Sequence, residues 1–325
     1  MLRSNARAVL QALADAKARI ENRIDPPALV LLYHRVATLA EDPDLLAVTP
    51  ERFREQLLWL KRRLSFARFE ANWSSLKRAA IVVTFDDGYA DNVHNALPIL
   101  AELDIPATFF ITSGKIDSGE EFWWDELAQL LPGAADRAVP LELPLLSARH
   151  RLDTSTEIAR QQAYARTHRL LFDAPPDLRR SILTELRVWS GSNGAARQSH
   201  RALSSIELKR LADNPLVTVG AHTVSHTRLA ILDVEEQRRE IAASKAELET
   251  RLGRPIEVFA YPFGGRADYT SDTTAICRES GFRKAASNFP GNAHSWSDPL
   301  QIPRHLVRNW DVSEFARRIE RFLAR

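Results

Sequence analysis

The chain has 325 residues, 45% hydrophobic and 26% charged, which is the balance of a soluble globular protein of one large domain or two ordinary ones. That balance excludes a collagen, a coiled-coil rod and wholesale disorder. Lys and Arg number 44 against 42 Asp and Glu, so the formal net charge of +2 is too small for a dedicated nucleic-acid binder. A single cysteine, Cys277, excludes an intramolecular disulfide and a thiolate metal cluster.

Residues 1–22 hold no uninterrupted apolar stretch, because Asp15, Lys17 and Arg19 break it, so they do not read as a secretory signal. Leu2, Ala6, Val9, Leu13 and Ile20 fall on one side at helical spacing, and Pro26-Pro27 ends that helix. The apolar run 28–33 is too short to span a bilayer and reads as a buried strand. These features predict a cytoplasmic protein without a transmembrane segment, at most peripheral at the inner face of the membrane.

Pro50 opens a helix with Phe53, Leu57, Leu58 and Leu60 on its apolar side. I-V-V-T-F (81–85) is a strand, 89–103 a helix and A-T-F-F-I-T (107–112) a strand. Later strands are expected at 216–221, 257–260, 282–287 and 300–303, mostly with helices between. Capping patterns open two of these helices, from Ser204 to Glu207 and from Asp311 to Glu314. Strand–helix alternation implies parallel strands with helices outside, and seven strands imply a barrel, closed or partly open. Residues 115–203 break the rhythm. They show helical stretches at 155–172 and 176–189 and no convincing strand, and so read as a helical insertion rather than a separate domain. No internal repeat or low-complexity tract is visible, and Cys277 reads as a buried helix residue.

In parallel α/β folds the site lies at the C-terminal ends of the strands. His34 follows the first apolar run and Asp86-Asp87-Gly88 the second. His222 follows 216–221 with His226 four residues on, Y-P-F-G (261–264) follows 257–260, and Arg304-His305 follows 300–303. Five strand ends thus deliver two carboxylates, four histidines and an arginine to one face.

Each has a plain alternative. Asp86-Asp87-Gly88 by itself reads as a turn, but adjacent carboxylates repel and are disfavoured in an interior without a cation beside them. His222 and His226 are either two hydrogen-bonded loop histidines or, at i and i+4, two ligands of one metal. With Asp87 they form a two-histidine, one-carboxylate set. Such nitrogen and oxygen donors suit Zn²⁺, with Ni²⁺ or Co²⁺ as alternatives, and three protein ligands leave a position open for water. His34 either caps its loop or takes part in chemistry. Trp123-Trp124 either stacks on sugar rings or packs the insertion against the barrel.

T-F-D-D-G (84–88) followed by H-T-V-S-H (222–226) resembles the polysaccharide deacetylase family, carbohydrate esterase family 4, also called the NodB-homology fold. The resemblance covers about residues 28–115 and 203–310. It implies a distorted (β/α)₇ barrel with a helical insertion, 115–203, within a single domain, 1–325. It also implies a divalent metal on Asp87, His222 and His226, and Asp86 as catalytic base. A family motif, R-x-P-[FY], falls on A-Y-P-F (260–263), so Ala260 stands where the family has the arginine that pairs with the base. Arg304 is the candidate replacement. The family's late L-x-H motif has no clear match, because Q-I-P-R-H (301–305) fits poorly. L-L-Y-H (31–34), however, resembles the permuted branch that includes poly-N-acetylglucosamine deacetylases, which makes His34 the candidate acid and His305 its competitor.

The chemistry expected is hydrolysis of an N-acetyl amide, with Asp86 taking the proton of water, the backbone N–H of Phe263 helping to hold the oxyanion, and His34 protonating the amine. The expected partner is an N-acetylated sugar or glycan precursor in surface-polysaccharide or glycolipid synthesis. Two other readings are a hydrolase of a small non-sugar amide on the same fold and a sugar-binding protein that has lost catalysis. The oligomeric state has no signature in the sequence.

Overall fold

A computed structural model describes residues 17–132, 141–145 and 148–324. At its centre is a curled parallel sheet. Seven strands follow one another along it: β1 (Ala28–Tyr33), β2 (Ala80–Phe85), β3 (Ala107–Ile111), β4 (Val217–Ala221), β5 (Val258–Ala260), β6 (Lys284–Ala286) and β7 (His305–Leu306). The order is β6-β5-β4-β3-β2-β1-β7, with a short strand, Ser65–Phe66, beside the start of β2. From β1 to β6, sequential strands are spatial neighbours, as strand–helix–strand crossovers require. β1 pairs with β2 along its length, from Ala28 opposite Ala80 to Tyr33 opposite Phe85. On its other side Leu31 lies opposite His305 of β7. Ile302 bridges to Ala286 of β6, so the stretch 302–306 links the last strands to the first. This is the α/β architecture expected from the sequence, a distorted (β/α)₇ barrel.

Alternation along the strands explains the packing. Ala28 and Val30 meet Val82, Phe110, Val258 and Ala286 on one face of the sheet. Leu29, Leu31 and Tyr33 join Val83, Phe85 and Phe109 on the other, under the helices. Every residue of β1 is buried, which is why it reads as an uninterrupted apolar run. At Gly220 of β4 a neighbouring strand leaves no room for a side chain: a Cβ there would lie 2.5 Å from the ring of its partner on β3, Phe110.

Nine helices among the described residues accompany the sheet: α1 (Pro50–Lys61), α2 (Leu97–Glu102), α3 (Trp123–Leu130), α4 (Glu157–Phe172), α5 (Pro176–Ser190), α6 (Ser205–Ala212), α7 (Val234–Leu252), α8 (Ser271–Glu279) and α9 (Val312–Leu323). In addition, 17–24 is helical; the rest of the expected first helix lies outside the described residues. Phe53, Leu57 and Leu60 form the buried side of α1. Ser204 and Glu207 complete a reciprocal capping box on α6. At α9 the Asp311 carboxylate accepts the Glu314 backbone N–H at 2.9 Å, which is the forward half of that device. Cys277 is fully buried in α8, and burial pushes its thiol up to about 12, an inert state.

Three local expectations are corrected. The segment before α2 is not one α-helix from Tyr89, because Asn92–Ala96 forms a π-turn. The last strand is His305–Leu306 rather than 300–303, where only Ile302 makes a bridge. The insertion is not wholly helical, since Leu141–Leu145 and Ala148–Leu152 form an antiparallel hairpin. Leu141 and Leu143 are buried while Glu142 between them is exposed, and the two leucines join a hydrophobic cluster that also contains Trp123, Trp124, Tyr164 and Leu186. Among the described residues no helix is long and apolar enough to cross a membrane.

Candidate metal centre

The strand ends converge. Asp86 and Asp87 follow β2, His222 follows β4, and His226 closes the turn that His222 opens. Asp87 Oδ1 lies 3.1 Å from His226 Nε2 and 3.5 Å from His222 Nε2. One donor atom from each of these residues falls within 4.8 Å of the others, and all three side chains are buried. Carrying them there takes unusual backbone. Four of the seven non-glycine residues with positive φ among the described residues are Asp87, Thr223, His226 and Phe263, all at this site. Such conformations cost about 1–3 kcal/mol each and cluster where function requires them.

The electrostatics fit a cation. Asp87 Oδ1 is buried without a hydrogen-bond partner among the described residues. Burial alone would raise its pKa, but the rings of His222 and His226 override that and hold the carboxyl well below the usual range. The Nδ1–H of His222 donates to the Ala260 carbonyl at 2.7 Å, which leaves Nε2 with its lone pair towards Asp87. Two imidazoles and an orphaned carboxylate oxygen form a cluster capable of holding a divalent metal.

Asp86 is 3% exposed and gripped by Arg304. Nη1 donates to Oδ1 at 2.7 Å and Nη2 to Oδ2 at 2.6 Å, while Nε donates to the Ser287 carbonyl at 2.7 Å. Burial would raise the Asp86 pKa, but the guanidinium and His222 outweigh it and keep the carboxylate ionised. Asp86 Oδ2 lies 3.9 Å from His222 Nε2.

A cavity of about 210 Å³ opens over these groups, lined among others by His34, Asp86, Asp87, His222, His226 and Phe263. His34 Nδ1 is buried without a partner among the described residues. Burial lowers its pKa, with Asp87 and Asp86 only partly offsetting that. His305 is elsewhere. Its ring stacks on Phe322 at 3.9 Å and it does not line this cavity; burial pushes it down to about 4. Phe263 sets its ring 4.9 Å from that of His226.

The family described as polysaccharide deacetylase matches residues 74–136 and 191–285. This match, together with the site geometry, supports membership of the polysaccharide deacetylase superfamily. Several solved structures share the fold. A polysaccharide deacetylase of Bacillus cereus is 19% identical, with TM-score 0.60, over 91% of this chain and 69% of its own. IcaB of Ammonifex degensii is 18% identical, TM-score 0.60, over 93% and 98%. The Streptococcus pyogenes deacetylase PplD, solved with acetate, is 17% identical, TM-score 0.58, over 90% and 98%. At these identities the likeness is one of fold. No curated protein matches the sequence. The metal-binding triad on a polysaccharide deacetylase fold supports a metal-dependent hydrolase.

The same cavity is lined by Trp124, one of the tryptophan pair singled out in the sequence, and by residues that the sequence did not point to, among them Asp44, His168, Phe172, Asn288 and Arg308. Asn288 stands two residues beyond β6 and Arg308 two beyond β7, so the strand-end rule would have reached both. His168 and Phe172 belong, with Trp124, to the insertion, where only the tryptophan pair gave a signal. Both Trp123 and Trp124 are buried, at 7% and 5% exposure, and pack the insertion.

Proposed function

We propose that the protein is a metal-dependent N-deacetylase that removes the acetyl group from an amino sugar, in a glycan or glycolipid precursor of a surface polysaccharide. The observation that carries this reading is the pairing of an Arg304-clamped carboxylate, Asp86, with the Asp87, His222 and His226 cluster under one small cavity. That cavity borders a wider space of about 810 Å³ through Asp44, His168 and Phe172. A small reacting group attached to a larger body suits this shape.

Asp87, His222 and His226 would hold the cation, Zn²⁺ by donor type. When bound, it supplies Lewis acidity for the carbonyl and for water. Asp86 accepts the proton of the attacking water, and Arg304 keeps that carboxylate ionised and fixed in rotamer. The Phe263 backbone N–H donates to the carbonyl oxygen as charge develops there. His34 gives its proton to the departing amine, as in the permuted branch of the superfamily, to which we assign the chain. We read residues 1–325 as one domain with 115–203 inserted, acting as a peripheral or soluble cytoplasmic enzyme.

Acetate release from N-acetylglucosamine oligomers, beside a panel of small non-sugar amides, tests the reading. Release from the sugar substrates alone is expected. Turnover of the small amides with none of the sugars would replace this function with the other hydrolase reading.

A further inference from the structure

The two histidines of the metal cluster are held by different means. His222 is oriented by the hydrogen bond from its Nδ1–H to the Ala260 carbonyl. His226 has no such anchor, because its Nδ1 is buried without a partner among the described residues. Its ring is instead enclosed by aromatic edges. Trp124 lies 4.8 Å away at 62°, Phe263 4.9 Å away at 76° and Phe122 5.9 Å away at 74°.

Trp124 is itself fixed. Its ring stacks on Phe122 at 4.7 Å, and its indole N–H donates to the Tyr89 hydroxyl at 2.9 Å. That hydroxyl donates to Asp125 Oδ2 at 2.6 Å, and the Arg35 guanidinium lies 4.2 Å over the Tyr89 ring. Tyr89 is fully buried and Arg35 is 1% exposed. Tyr89 also sits two residues beyond Asp87. The chain of contacts therefore runs from the turn that carries one ligand, through the insertion, to the ring of another.

We propose that Trp124 is a positioning residue for the metal centre: locked by its hydrogen bond to Tyr89, it holds the His226 ring in ligating orientation, as the Ala260 carbonyl holds His222. The insertion is then a working part of the site rather than an appendage. This rests on the metal reading above. Partners that orient metal-bound histidines typically matter about 10–100-fold in metal affinity, and a packed, locked indole acts in the same way on a ring that has no polar anchor.

The test is the Zn²⁺ dissociation constant, measured by chelator competition on the purified full chain, together with the visible spectrum of the Co²⁺-loaded protein. Trp124→Leu should weaken Zn²⁺ binding about 10–100-fold and alter the Co²⁺ spectrum, while Trp124→Phe should recover part of the affinity. Tyr89→Phe keeps the ring volume and removes only the hydroxyl; it should shift affinity in the same direction by a smaller factor, and it decides the matter if Trp124→Leu does not fold. Trp123→Phe, on the same helix and not against His226, should stay within about twofold of the parent. Unchanged affinity in a folded Trp124→Leu would overturn the proposal, as would unchanged affinity in Tyr89→Phe should Trp124→Leu not fold. An equal loss in Trp123→Phe would also overturn it, by showing general loosening of the insertion. A parent protein that binds no metal would instead overturn the metal reading itself.

Discussion

Asp86 and Arg304 form a buried ion pair in which each partner is the other's solvent. Asp86→Asn keeps the shape but cannot take a proton, so turnover should fall about 10²–10⁴-fold while metal content stays near that of the parent. Turnover close to the parent's would place the base elsewhere. Arg304→Ala strands the carboxylate in the interior; loss of one partner of a buried pair costs about 3–5 kcal/mol, so activity and chemical stability should drop together. A variant equal to the parent in both urea midpoint and rate would show that the pair is idle. The candidate metal ligands and Asp86 were legible because the chemistry narrows the choice of residue type: few side chains ligate a cation, and those that do stood at strand ends. Arg304 was legible from its place at a strand end, and its pairing with Asp86 was suggested by Ala260 in the place of the family's arginine. Trp124 was legible only as an aromatic that stacks on sugar or packs the insertion, since an aromatic set against a ligand has the same sequence appearance as one that fills a core.

The strands were readable wherever both faces are buried, as in β1 and β2. β7 was misplaced by a few residues because it is only two residues long and is defined by its pairing with Leu31 and Leu32 rather than by any pattern. The hairpin in the insertion was missed because its alternation lasts only three residues before Pro144, and the π-turn at Asn92–Ala96 because a change of hydrogen-bond register leaves apolar spacing nearly intact. Two predictions belong to this scale. A Cβ at Gly220 of β4 would strike Phe110 on β3 at 2.5 Å and Val258 on β5 at 2.9 Å. Gly220→Ala should therefore cost about 1–3 kcal/mol in denaturant unfolding, and a change below about 0.5 kcal/mol would mean that the strands part easily. His305 of β7, stacked on Phe322 of α9, has its pKa lowered by burial to about 4. The unfolded chain binds this proton below about 6.5 and the folded chain only below about 4. Stability from this group is thus complete above pH ~6.5 and is lost as the pH falls towards 4, up to about 3 kcal/mol. His305→Gln should flatten the dependence of Tm on pH in that window, and an unchanged slope would contradict it.

Across the whole molecule, the barrel supplies the ligands and the insertion supplies part of the wall. Trp124, His168 and Phe172 reach the cavity from α3 and α4, and the insertion keeps its own hydrophobic cluster behind them. Sequence patterning set this stretch apart from the strand–helix rhythm, but its contribution depends on tertiary contacts that no local period records. The central claim is that one divalent cation sits on Asp87, His222 and His226 and that catalysis depends on it. The most direct measurement is bound metal per chain, by elemental analysis, in the parent and in His222→Ala after identical loading with Zn²⁺. One ion per chain is expected in the parent, with most of it gone in the variant. Full occupancy in His222→Ala would contradict the claim.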